Sequence, residues 1–170
     1  MSFLVRKINA VKWRYPEFFG IDKIPADGIT SGCLKTERNN LSVWKIDSKD
    51  NLEEAVIAIV SSGDHIKAMD FIILDPESLT QNGISIVPRE MDTPYEAQKG
   101  NHLDLVELSY TEIGIIAHQV LNEIKAERDT RYAEAELVDM LTKAANEGKL
   151  RLDLLAKNIK KRILPDSRDN

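Results

Sequence analysis

A chain of 170 residues is long enough for one domain with a sizeable core and short for two, so a single domain spanning 1–170 is expected. With 42% hydrophobic and 30% charged residues the composition excludes a chain that is disordered as a whole, and a formal charge of −5 excludes a protein that coats nucleic acid through bulk charge. A sole cysteine, Cys33, excludes an internal disulfide and a multi-cysteine zinc site.

In chain order, Phe3–Ile8 reads as a short strand, followed by an aromatic group of Trp13, Tyr15, Phe18 and Phe19 around Pro16. Pro25-Ala26-Asp27-Gly28 and Ser31-Gly32 mark a turn-rich passage. Leu41–Ile46 has the alternation of a half-buried strand, and Thr36–Asn40 before it suits a hairpin loop with Cys33-Leu34-Lys35 as partner strand. A helix follows: Ser48 or Asn51 is placed to cap it, Glu53 and Glu54 suit its positive end, and Leu52, Ala55, Val56, Ile59 and Val60 form its apolar stripe. Met69–Leu74 reads as an interior strand stopped by Asp75-Pro76, and the strand–helix–strand order fits a parallel crossover or an antiparallel or mixed sheet. Leu41, Val43, Ile46, Phe71 and Ile73 are expected to share one core.

Residues 75–101 carry the weakest pattern, with one short strand at Ile84, Ile86 and Val87. His102–Leu108 alternates as a strand with Leu103, Leu105 and Val106 inward. Beyond it the chain turns helical. Ser109 and Glu112 form a capping box ahead of Ile113, Ile116, Ala117, Val120, Leu121 and Ile124. A second helix from Thr130 to Glu147 puts Ala133, Leu137, Leu141 and Ala144 on one face and stops at Gly148. A third from Asp153 to Leu164 gathers Leu155, Ala156, Ile159 and Ile163 before Pro165. The fold class is α+β: a small mixed sheet with one or two packed helices in a β-rich half, 1–108, then about three helices in a helical half, 109–164.

No motif names an activity. His65, His102 and His118 fall in three different elements with no paired spacing, so no metal site is assigned, although His102 and Asp104 share a strand face with Glu107 near. The eight glycines form neither a dinucleotide fingerprint nor a phosphate loop, and the nearest approach to an anion cradle is Asp27–Gly32. Cys33 lacks a base fixed beside it in sequence and reads as a buried structural thiol. The acidic residues sit at a helix start or on solvated faces. No catalytic residue, cofactor site or metal ligand is therefore expected.

Location follows from what is missing. Only three apolar residues precede Arg6 and Lys7, so there is no secretory core, and Phe71–Leu74 is far below the roughly 20 residues of a membrane span. Neither end carries a lipidation motif. A cytoplasmic protein with a reduced Cys33 and no membrane partner is expected.

Charge is the feature above background. Between Lys149 and Arg162 stand six cations against Asp153 alone, leaving the rest of a chain of net charge −5 at −10. Lys157, Lys160, Lys161 and Arg162 are thus candidate partner-binding residues. Missing catalytic motifs, N-terminal aromatics and amphipathic C-terminal helices together suggest a non-catalytic binding protein, an accessory or regulatory subunit of a protein assembly. Two other readings compete: an enzyme built around Asp27–Cys33, and a DNA-binding regulator using the basic helix. The acidic body disfavours nucleic acid.

Overall fold

The computed structural model describes residues 2–14 and 23–164. Tyr15, Phe18 and Phe19 of the expected aromatic group lie outside them, while Trp13 is buried. Strand β1 spans Phe3–Ile8 and, beyond the short helix α1 (Ala26–Thr30), β2 spans Leu41–Ile46. Helix α2 covers Leu52–Ser61, β3 Met69–Leu74, α3 Pro76–Gln81 and β4 Ser85–Pro88. Then come β5 (His102–Val106), α4 (Tyr110–Lys125), β6 (Thr130–Tyr132), α5 (Glu134–Asn146) and α6 (Lys157–Ile163). The class is α+β.

The strands form one sheet in the order β4-β5-β2-β1-β3-β6, and every pairing is antiparallel. The sheet is therefore not the mixed one expected but antiparallel throughout, because α2 returns the chain to the far side of β1, where β3 runs against it. The sheet takes a strand from each half, since β6 lies beyond residue 109 and pairs Met69 with Tyr132. Its three residues keep that edge short, which limits the unpaired backbone an edge exposes.

Both faces of the sheet are covered. Leu4, Leu41, Val43, Ile72, Leu74 and Leu105 pack against the buried stripe of α4, with Trp13 and Leu79 beside them. Val5, Trp44, Ile46 and Phe71 pack on the other side against α2, α5 and α6. The three C-terminal helices thus divide between the two faces. The single core expected for Leu41, Val43, Ile46, Phe71 and Ile73 is in fact two: Leu41 and Val43 join the first cluster, Ile46, Phe71 and the half-buried Ile73 the second. Alternation is the cause, because residues of odd separation on a strand point to opposite faces.

Local chemistry explains most boundaries. Ser109 and Glu112 close the expected capping box on α4, and all six residues of its predicted apolar face are buried. Gly148 leaves α5 at φ +68°, a conformation suited to glycine. Asp75 caps Glu77 N–H with Pro76 at the first turn, so residues expected to be irregular form α3. Helix α5 starts four residues later than expected because Thr130–Tyr132 is taken by β3, and Ala133 is its exposed cap. The expected partner strand at Cys33–Lys35 does not form. Glu37 and Asn40 close a tight turn, but β2 already has β1 and β5 on its two sides.

Candidate functional site: a basic trough on the sheet

Pairing between β1 and β2 runs only from Phe3↔Ile46 to Val5↔Trp44, whereas β1 and β3 stay paired to Ile8↔Asp70. The end of β1 has therefore parted from β2, and the Arg6 side chain bridges the gap. Its Nε donates to the Cys33 carbonyl at 3.0 Å and a terminal nitrogen donates to the Ser42 carbonyl at 2.7 Å. Both acceptors are neutral, so the hydrogen bonds hold the guanidinium without cancelling its charge. Burial pushes the Arg6 pKa down, and the nearby Cys33 and Asp104 oppose that shift.

Where the strands part, a trough of about 410 Å³ opens on the face covered elsewhere by α2. Its floor comes from Val5–Lys7, Ser42, Trp44 and His102, and its rim from Ile59, Ser62, Gly63, Arg89 and Met91. Arg6, Lys7 and Arg89 contribute three cations, and no carboxylate lines it among the described residues. A second hollow of about 500 Å³ shares Lys7 and Gly32 with it and adds Lys67, Asp70 and Arg131. There Asp70 is already engaged: it accepts from Ala10 N–H at 3.0 Å and from Arg131 at 2.8 Å. Partial desolvation lowers the Lys7 pKa, and the neighbouring cations Lys67 and Arg6 lower it further.

Register builds the polar end of the trough. Ser42 lies opposite Asp104, and Trp44 opposite His102, so all four share the α2 face. Ser42 Oγ hydrogen-bonds His102 Nε2, and the Trp44 and His102 rings lie 4.9 Å apart. Arg89 reaches Asp104 Oδ2 at 3.3 Å. His102 Nδ1 and Asp104 Oδ1 are buried without a hydrogen-bond partner among the described residues. Burial pushes the His102 pKa down, against a raising influence from Asp104, with Arg89 and Arg6 adding to the fall. The imidazole is thus neutral near pH 7.

The sequence placed His102 and Asp104 on one strand face, and they are; Glu107 lies beyond β5 with φ +58°. Their joining to Ser42, Arg6 and Arg89 was missed, because it depends on pairing between segments about 60 residues apart. Cys33 is buried as expected, and its Sγ accepts from Asn9 N–H at 3.1 Å. The Asp27–Gly32 cradle is in part helix α1, with Gly28 pressed so closely to Trp13 that a Cβ would come within 2.8 Å of the ring. Only its last residue, Gly32, lines the trough.

The basic C-terminal residues lie on α6, which is shorter than the predicted helix. Lys157 and Lys161 are exposed, Lys160 is half-buried, and Leu155, Ile159 and Ile163 point inward. Arg162 is held by Glu134 at 2.7 Å, so it is the candidate already engaged within the fold. Asn158 meets His65 at 3.4 Å, which sets α6 beside the segment that carries Lys67.

Comparisons with protein families, characterised proteins and solved structures returned no match. Among the described residues no helix is long and apolar enough to cross a membrane, and no group of three or more His, Cys, Asp or Glu is arranged to hold a metal ion.

Proposed function

We propose that this protein acts by binding rather than by catalysis, as an accessory or regulatory subunit whose partner presents negative charge to the trough and to α6. The observation that carries this reading is the lining of Arg6, Lys7 and Arg89, of which only Arg89 is paired with a carboxylate among the described residues, in a chain whose net charge is −5. Cations gathered against the charge of the whole molecule create a local positive field that selects and orients an acidic partner. The test is a comparison of proteins retained from native lysate at physiological salt by the wild type and by Lys7→Glu/Lys67→Glu. Loss of specific partners from the variant is expected; identical retained sets would overturn the reading.

A second reading rests on Ser42 and His102. With the imidazole proton on Nδ1, the Ser42 hydroxyl donates to Nε2, the arrangement in which a neutral histidine activates a serine nucleophile. Among the described residues no group orients Nδ1, and for that reason binding is preferred. A fluorophosphonate probe decides between them: adduct formation on wild type and none on Ser42→Ala would replace binding with acyl-transfer chemistry.

A further inference from the structure

We propose that the junction of the trough with the second hollow is a phosphoryl-binding site, taking a phosphate group carried on a small organic molecule between Arg6 and Lys7 of the trough and Lys67 of the second hollow. The inference rests on the reading that the protein acts by binding, and it gives the trough a small phosphorylated ligand while leaving α6 to the protein partner.

Charge balance is the first argument. Arg89 is offset by Asp104 at 3.3 Å, and Arg131 by Asp70 at 2.8 Å. Arg6 is held by two carbonyls, and neither Lys7 nor Lys67 has an ion-pair partner among the described residues. Arg6 lines the first hollow, Lys67 the second and Lys7 both, so three positive charges flank the junction, which Lys7 and Gly32 share. Like charges brought together this way repel, and a dianion relieves that repulsion more fully than a monoanion. A phosphate monoester near pH 7 carries close to two charges, a carboxylate one.

Hydrogen-bonding capacity is the second. A phosphoryl group offers three acceptor oxygens, and the junction offers the ammonium groups of Lys7 and Lys67, the Arg6 guanidinium and the rim hydroxyl of Ser62, which also meets Thr93 Oγ1 at 3.4 Å. Arg6 is pre-positioned by its carbonyl bonds, so little ordering remains to be done when the anion arrives. His102, 5% exposed with Nε2 bonded to Ser42 Oγ, lies in the same lining as an uncharged ring that does not repel an anion.

Apolar surface is the third. Trp44, Ile59 and Met91 line the same trough, and Met91 is exposed. An organic group attached to the phosphate has these side chains to cover, whereas inorganic phosphate does not.

The experiment is titration calorimetry on the full chain at fixed ionic strength with phenyl phosphate, inorganic phosphate, benzoate and a glutamate-rich peptide. It compares wild type with Lys7→Gln/Lys67→Gln, whose two side chains are exposed and unbonded, so folding is retained and is checked by the melting temperature. Phenyl phosphate is expected to bind more tightly than inorganic phosphate and about tenfold more tightly than benzoate, and to weaken about tenfold in the double variant. Equal affinity for benzoate, or unchanged affinity in the variant, overturns the phosphoryl site. Lysine-dependent binding of the peptide without phenyl phosphate binding also overturns it and leaves the binding reading standing. Absence of binding by all four removes the trough from both.

Discussion

A terminal nitrogen of Arg6 donates to the Ser42 carbonyl at 2.7 Å where β1 and β2 have parted, so a guanidinium replaces strand pairing at that point. The same side chain closes on the Cys33 carbonyl and ties down the loop after α1. Arg6→Ala removes both bonds and leaves two carbonyls to find new donors. The expected loss is about 2–3 kcal/mol by denaturant unfolding, the scale for bonds to a charged group plus stranded acceptors. Arg6→Lys, a point charge with no fork, is expected to recover only part of it.

Phe71 is 1% exposed and packs edge-on against Tyr132 at 5.9 Å, in the cluster formed with α2, α5 and α6. Phe71→Ala is expected to cost about 3–5 kcal/mol through lost transfer and the cavity left behind. The melting temperature checks this. An unchanged value would mean that the face of β3 under α5 and α6 is not packed as described.

How much of this was legible in the sequence depends on how local the determinant is. Helix α4 was readable almost whole, because Ser109, Glu112 and the spacing of Ile113 to Ile124 carry their meaning within a few turns. The Asp75-Pro76-Glu77 start of α3 carried a similar local signal, obscured by the surrounding prolines and glycines. Strand β6 was not readable, since Thr130–Tyr132 is a strand only because β3 has a free side there. The trough needed still more. Ser42, His102 and Arg6 meet through the β2–β5 register and the parting of β1, neither of which leaves a mark in any one segment.

Asp70 is buried and accepts from both Ala10 N–H and Arg131, which itself stays largely exposed. The two partners make unequal contributions. Asp70→Ala strands the buried Ala10 N–H and is expected to cost about 2–3 kcal/mol. Arg131→Ala loses an ion pair to a solvated cation and is expected to cost less than about 1 kcal/mol. Urea unfolding of both variants checks the ratio; equal losses would show that the ion pair, not the backbone cap, holds this corner.

His102 gives the fold a pH dependence of definite sign. Its pKa in the folded protein lies below the ordinary 6.5, with burial the leading cause. The unfolded chain therefore takes up the proton first as pH falls. Stability from this group is complete above 6.5 and is lost as pH drops from there through the folded value. Melting curves between neutral pH and pH about 5 are expected to fall more steeply for wild type than for His102→Gln, which cannot titrate in that range. Parallel curves would show that His102 is protonated equally readily in both states.

The lysines of α6, two exposed and Lys160 half-buried, separate a protein partner from a nucleic acid. Lys157, Lys160 and Lys161 belong to the helix whose buried Ile159 and Ile163 anchor it, so reversing their charge leaves that apolar contact in place. Lys157→Glu/Lys160→Glu/Lys161→Glu is expected to keep the wild-type circular dichroism and to weaken capture of an acidic partner. Duplex DNA has a dense, uniform charge, and the acidic remainder of this chain repels it. Any binding to random duplex should be weak and vanish near physiological salt through counterion release. A partner with an acidic groove can match α6 and the adjoining segment around His65 and Lys67 at once, because its charges are fixed in place. A salt series on random duplex, run beside partner capture by wild type and triple variant, separates these cases. Tight, sequence-dependent DNA binding that persists at physiological salt and disappears in the triple variant would replace the protein partner with a DNA-binding regulator.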